Sequence, residues 1–168
     1  MKINTTRFGE IDVPKEEFIL MKGSILGFER LSRFVLLIKD DKTPLWWLQA
    51  VDDPAVAFAV INPRTINRDY NPPFYESDLE FLDIKNKDDA ALLAIVTIRS
   101  QPFRVTVNLR APLLINAANR MANQIILDDP AYHVQYDVRD YRVDFQTAMT
   151  GEAKGMERLA KQASVPLT

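Results

Sequence analysis

Residues 44–62, Pro44-Leu-Trp-Trp-Leu-Gln-Ala-Val-Asp-Asp-Pro-Ala-Val-Ala-Phe-Ala-Val-Ile-Asn62, confine this chain to a narrow set of folds. Two apolar runs, 45–51 and 56–61, are separated only by an Asp-Asp-Pro turn. Aspartate opens such a turn by accepting from nearby backbone N–H groups, and Pro54 presets the backbone dihedral that its position needs. Runs this short cannot be core helices, so they read as a β-hairpin. Trp46 and Trp47 are adjacent and must therefore point to opposite faces of the sheet.

The rest of the chain repeats this texture. Ten prolines and short apolar runs argue for many strands rather than long helices. Strands are expected at 1–8 and 18–21, around a turn containing Val13-Pro14, and at 34–39, before a turn cluster at 40–44. Further strands are expected at 92–98 and 103–108, flanking Ser100-Gln101-Pro102, and at 113–116, 124–127 and 132–143. Residues 116–123 read as a turn or a single helical turn. The spacing predicts one internal helix over 74–84, with Ser77-Asp-Leu-Glu80 as a capping box. A C-terminal helix is expected over 150–163, loosely docked or free, with Met156, Leu159 and Ala163 at helical spacing. Val51-Asp-Asp-Pro-Ala55 and Leu127-Asp-Asp-Pro-Ala131 read as one turn solution used twice. The fold class that follows is mainly β: a small closed or half-closed antiparallel β-barrel-like domain over 1–136, with one short internal helix, then an extension over 137–168. Closure removes the exposed edges that short strands create.

Composition narrows the function. With no cysteine there is neither a disulfide framework nor a thiolate metal site, which fits a reducing cytoplasm. The N-terminus has no apolar signal-peptide core. The longest apolar run, 90–96, is far short of the about 20 residues that span a bilayer. The net charge of −2 conceals an asymmetry: residues 1–39 carry +2, residues 40–89 carry −6 and residues 99–168 carry +2. An acidic middle repels nucleic acid and steers basic partners toward it.

Motifs for chemistry are missing. Nucleophilic hydrolysis needs a base beside the nucleophile, and the only histidine is His133. Gly23-Ser-Ile-Leu-Gly27 has the wrong spacing for a nucleophile elbow. Asp128, Asp129 and His133 are the nearest approach to a metal or acid–base cluster, but Pro130 between them already explains the aspartates as turn formers. Five glycines include no phosphate loop, so no cofactor is expected. Arg99, Arg104, Arg110 and Arg120 are the closest thing to a basic stripe and lie on separate predicted strands and loops.

Three stretches together are specific. They are Gly23-Ser-Ile-Leu-Gly-Phe-Glu29 followed by Phe34-Val-Leu-Leu; Trp47-Leu-Gln-Ala-Val-Asp-Asp-Pro54 running into Ala57-Phe-Ala-Val-Ile-Asn-Pro63; and Val96-Thr-Ile98 with Asn108-Leu-Arg-Ala-Pro-Leu-Leu-Ile-Asn116 and Gln124-Ile-Ile-Leu127. In this order and spacing the chain resembles the flagellar assembly factor family, FliW, over roughly residues 1–136. The resemblance implies a cytoplasmic, non-enzymatic protein with a β-barrel-like fold and two protein partners: flagellin, and the RNA-binding translational repressor CsrA (the carbon storage regulator). It further implies that the free factor antagonises CsrA and that flagellin competes for it, which couples flagellin translation to secretion. No direct nucleic-acid or membrane partner is implied. The family usually shows an acidic residue before the first glycine of the Gly-x-x-x-Gly stretch and a proline before the second, where this chain has Lys22 and Leu26.

Candidate partner-binding residues follow. Asp52, Asp53, Asp69 and Glu76 are expected to build an acidic surface, with Trp46 or Trp47 and Tyr70 as apolar anchors. Asn108, Arg110, Asn116 and Gln124 match the family's distinctive positions, with binding and holding the barrel both open as roles. Two other readings are a small-molecule or RNA-binding barrel using its mouth and the arginines of 99–120, and a hydrolase built on Asp128, Asp129 and His133. A filled interior and a continuous acidic patch would favour the interaction protein over the first of these, and an apolar pocket with convergent polar groups would favour the barrel reading.

Overall fold

The computed structural model describes residues 1–38, 44–138 and Leu159. Its strands are Lys2–Thr5 (β1), Gly9–Asp12 (β2), Ile19–Met21 (β3), Arg33–Leu37 (β4), Trp46–Ala50 (β5), Ala57–Ile61 (β6), Ala90–Ser100 (β7), Phe103–Val107 (β8), Leu113–Asn116 (β9), Met121–Gln124 (β10) and Tyr136–Asp137 (β11). The α-helix among the described residues before 138 is Glu76–Phe81 (α1).

Seven strands close into a barrel in the order β3-β4-β5-β6-β7-β9-β10, sealed where β10 pairs with β3. That seam is parallel, whereas the other neighbours in the ring are antiparallel. The long strand β7 makes closure possible by changing partners along its length. Ala90–Leu93 pairs with β9, while residues 96–100 pair with β8. The second half of β7 thus leaves the wall and forms a flap with β8 and β11. Sequence explains the switch. Residues 91–94 are buried, but Thr97-Ile-Arg-Ser100 is exposed.

The wall is covered on both sides, so its strands do not alternate apolar and polar as a half-exposed sheet would. Phe34, Leu36, Leu48, Val60, Leu93, Leu113 and Ile115 fill the interior. Their neighbours Val35 and Leu37 face outward beneath the β1–β2 hairpin, with Ile3, Ile11 and Val13. Leu92, Ala94 and Leu114 face outward beneath α1 and its loops, with Tyr70, Leu82 and Ile84. Each fully buried leucine, isoleucine or phenylalanine is worth about 1.5–3 kcal/mol relative to exposure. Leu159 joins the interior cluster with no solvent exposure and helical backbone. The extension therefore reaches the core at this residue, where a loosely docked or free helix was expected; the remaining residues of 150–163 lie outside those described. The predicted turn at 40–44 and the end of the strand predicted over 132–143 also fall largely outside them.

Two elements differ from the sequence reading. Helix α1 spans six residues and begins before Ser77. The Asp78 carboxylate accepts from the Tyr75 N–H at 2.9 Å, so Asp78 plays the part expected of Glu80 and Ser77 sits inside the helix. The strand expected at 124–127 lies earlier, at Met121–Gln124, with three of its four residues in the stretch read as a turn. Register against Leu113–Ile115 fixes it there, and the Asn119 side chain accepts from the Met121 N–H at its start. The apolar run Ile125-Ile126-Leu127 continues past the strand without its own ladder on both edges. The N–H groups of Ile125 and Leu127 donate to Pro112 and Arg110 carbonyls at 2.9 and 2.8 Å.

Candidate protein-docking face

The two Asp-Asp-Pro turns use the same local chemistry. The Asp53 side chain accepts from Ala55 N–H at 3.0 Å, and that of Asp129 accepts from Ala131 N–H at 2.9 Å. In each, the aspartate carbonyl accepts one residue further on, from Val56 and Tyr132, at 3.2 Å. Their surroundings differ.

The first turn is closed by its own strand. Gln49 is fully buried, and its amide nitrogen lies 3.0–3.4 Å from the carbonyl oxygens of Ala50, Asp53, Pro54 and Val56. Asp52 makes a two-point ion pair with Arg33, with Nε donating at 2.9 Å. That guanidinium holds the Asp52 carboxyl below the ordinary carboxylate value. The tryptophans beside it point to opposite faces as expected. Trp46 packs on the interior cluster, and Trp47 lies under the N-terminal hairpin with Phe8 edge-on at 6.0 Å and the Arg7 guanidinium 4.0 Å above its ring. Both are half-buried, because both faces of β5 are covered.

The second turn borders a groove of about 410 Å³. Residues 123–129 form its floor and one wall; Pro73, Tyr75 and Asp78 form the other. Tyr75 and Ile126 stand 68% and 59% exposed, so the groove presents two large side chains to solvent. Asp78, Asp128 and Asp129 supply three carboxylates, and no lining residue is basic. The Tyr75 hydroxyl spans the groove to the Asp128 carboxylate at 3.4 Å.

The residues that match the family's distinctive positions hold this wall in place. Asn108 accepts from the N–H groups of Arg110 and Ala111 at 3.1 and 3.0 Å. Arg110 then donates to the Leu127 and Asp128 carbonyls at 3.1 and 3.3 Å, from the side away from β10. Gln124 donates to the Ala111 carbonyl at 3.3 Å and accepts from Leu26 N–H at 2.9 Å. Asn116 is buried and donates to the Leu82 and Asp83 carbonyls at the end of α1. Lys22 reinforces the same helix end. Its ammonium donates to the Phe81 carbonyl at 2.7 Å and lies 4.7 Å from the Phe81 ring, a favourable place for a cation at a helix C-terminus. Gly23 beside it leaves room for the Asn123 side chain: a Cβ there would fall 1.9 Å from Asn123 Oδ1, and that side chain would have to move. The second departure, Leu26, is 75% exposed.

The predicted acidic surface is divided. Asp52 and Asp53 sit on the turn joining β5 and β6, whereas Asp69 and Glu76 follow the opposite end of β6. Asp69 and Glu76 are exposed. Tyr70 is 1% exposed and belongs to the core, which removes it as a surface anchor. Its hydroxyl donates to the Leu109 carbonyl at 2.6 Å, and burial pushes the phenol well above its ordinary value. Asp128 and Asp129, which sequence reading explained as turn formers, and Asp78, to which it gave no role, are the acids that share one concavity. No sequence signal marks this grouping: Ile125, Ile126 and Leu127 are equally apolar, and it is the fold that leaves Ile126 exposed between two buried neighbours.

The arginines do not form one surface. Arg110 is spent on carbonyls, Arg104 pairs with Asp137 at 3.2 Å, and Arg120 is buried with its guanidinium donating to the Glu17 carbonyl at 2.6 Å. His133 is exposed and its ring lies near Tyr136. Among the described residues no group of three or more His, Cys, Asp or Glu is placed to hold a metal ion. None of their helices is long and apolar enough to cross a membrane.

With this geometry in hand, comparison with known proteins is decisive. The family model described as FliW protein matches residues 2–138. The chain belongs to the FliW family. The flagellar assembly factor FliW of Syntrophus aciditrophicus is 46% identical over 138 residues, covering 82% of this chain and 87% of that protein. The FliW of Geotalea uraniireducens is 33% identical over 168 residues, covering 99% and 98%, so that alignment runs through the extension as well. A crystal structure of the flagellar assembly factor FliW superposes with a TM-score of 0.75 at 32% identity, covering 82% of this chain and 96% of the other. The closed, mainly β barrel is thus the FliW fold, and the name assigns these relatives an assembly role rather than a catalytic one.

Proposed function

We propose that this FliW-family protein is a non-enzymatic cytoplasmic factor that binds flagellin and, when free of it, binds and antagonises CsrA. Flagellin and CsrA compete for it, so secretion of flagellin releases the factor to relieve repression of flagellin synthesis. The observation that carries a binding role is the division of labour among the polar side chains. Gln49, Asn108, Arg110 and Asn116 are spent on backbone carbonyls and N–H groups, the barrel interior is filled, and two exposed large side chains, Tyr75 and Ile126, stand beside three carboxylates at the groove. An acidic docking face suits a basic RNA-binding partner and repels RNA itself. The remaining predicted acids, Asp53, Asp69 and Glu76, add to the steering field.

Titration of the purified protein with CsrA, with and without flagellin and at two salt concentrations, tests this. Salt-sensitive binding that flagellin abolishes is the expected result. No binding to either protein overturns it.

A further inference from the structure

The groove has a feature that a generic acidic patch lacks. Where β3 pairs with β10, the outer edge of that strand is occupied: Leu20 and Lys22 N–H groups donate to the Arg120 and Ala122 carbonyls at 2.9 and 2.8 Å. Beyond Lys22 the chain turns away into the Gly23–Gly27 loop, while residues 125–128 run on in extended form. Ile125 and Leu127 direct their N–H groups to Pro112 and Arg110. In an extended chain successive residues direct these groups to opposite edges. The N–H and carbonyl of Ile126 therefore face the other way, and among the described residues neither has a hydrogen-bond partner. This is a short, unpaired edge running beside a concavity, where the chain continues from a strand of the closed barrel wall.

We propose that this edge is a strand-addition site for an extended, positively charged segment of a protein partner. The inference rests on the protein-binding reading above and adds the mode and chemistry of one contact. A segment laid along residues 125–128 satisfies the Ile126 N–H and carbonyl and gains main-chain bonds without regard to its sequence. Alternate side chains supply selectivity. Those pointing into the groove meet Ile126 and Tyr75 and are apolar. Those pointing to the rim meet Asp78, Asp128 and Asp129 and are lysine or arginine. Charge complementarity selects this occupant: the lining carries three carboxylates and no cation, and the nearest guanidinium, Arg110, is engaged with the carbonyls behind the wall. A neutral or acidic strand gains the main-chain bonds but not the rim.

The test is an NMR titration of the full chain with an eight-residue peptide of alternating lysine and valine. Two controls are the glutamate–valine counterpart and the lysine–valine peptide N-methylated at alternate residues. The lysine–valine peptide is expected to move the Ile126 and Asp128 amide resonances. Both controls should bind at least tenfold more weakly, one lacking charge complementarity and the other main-chain donors. Asp128→Asn with Asp129→Asn keeps the turn's oxygen acceptor and should weaken the lysine–valine peptide about tenfold. Ile126→Pro removes a donor that the protein itself does not use and should abolish the amide-edge contact. The doubly neutralised variant reports on the same site without touching the backbone. Equal binding by the acidic or N-methylated peptide, or shifts confined to residues outside 123–132, overturns the inference. Peptide binding without CsrA or flagellin binding leaves this site standing and removes those partners. Partner binding with the Ile126 amide unmoved by the peptide removes this site alone.

Discussion

Val51-Asp-Asp-Pro-Ala55 and Leu127-Asp-Asp-Pro-Ala131 begin as the same turn and end as opposites. Both are folded by an aspartate that accepts from the residue two ahead. The first is then sealed: Gln49 occupies its carbonyls from within and Arg33 occupies Asp52 from outside. The second is braced from behind by Arg110, with one long Tyr75 hydroxyl contact to Asp128 on the groove side, and keeps Asp128, Asp129 and Ile126 toward a groove. The shared Asp-Asp-Pro-Ala sequence thus yields a structural corner in one place and an open edge in the other. What decides is the neighbouring strand: β6 returns at once after Pro54, whereas the chain after Pro130 leaves for β11. The hollow beside the first turn, lined by Thr6, Arg7, Pro54, Ala55 and Ala57, offers a cation and no large apolar side chain.

The sharpest way to break this contrast is to remove what seals the barrel. Leu159→Ala empties a fully buried position of the interior cluster and should cost about 2–5 kcal/mol, read as a lower denaturation midpoint. A variant with unchanged stability would mean that the extension does not complete the core. Gln49→Ala should cost about 2–3 kcal/mol, because it empties a fully buried side-chain site and removes the amide donor shared by the Asp53, Pro54 and Val56 carbonyls, each of which keeps one backbone N–H. Arg110→Ala, its counterpart behind the second turn, should cost less, about 1–2 kcal/mol, since its carbonyl partners lie nearer solvent. Chemical denaturation of the pair ranks them, and a reversed order would deny that the first turn is the structural one.

The contrast also explains what sequence could reveal. The β-hairpin, the doubled turn and the opposite faces of Trp46 and Trp47 were legible because they depend on local rules of alternation and turn chemistry. Barrel closure was legible in kind, though not the partner switch within β7 or the parallel seam between β3 and β10, which depend on pairings between distant residues. The acidic surface was misjudged in its grouping. Charge density along the chain placed Asp52, Asp53, Asp69 and Glu76 together, but β6 separates them and Arg33 engages one. Asn108, Arg110, Asn116 and Gln124 stood out in the sequence as a pattern; in the fold Asn108 closes its own turn, and the other three tie one segment to another.

Smaller effects sharpen the same comparison. Asp52→Asn should cost at most about 1 kcal/mol, as expected for a surface ion pair, and Asp128→Asn should leave stability unchanged. The pH dependence follows the sign of the Asp52 shift. Its folded value lies below the unfolded one, so its contribution is present above about pH 4 and fades as pH falls through the depressed value. The difference between wild type and Asp52→Asn should therefore shrink on acidification below pH 4. A gap that widens there would refute the ion pair. Tyr70 behaves oppositely: burial favours the protonated phenol, so its contribution is intact below pH 10 and is lost as pH rises beyond it.

Hydrogen–deuterium exchange of the full chain, alone and with saturating flagellin, compares the two turns in one experiment. The account predicts slower exchange across residues 123–132 and no change across 51–56. Protection of 51–56 with 123–132 unaffected would contradict it, and would make the sealed turn rather than the open edge the docking face.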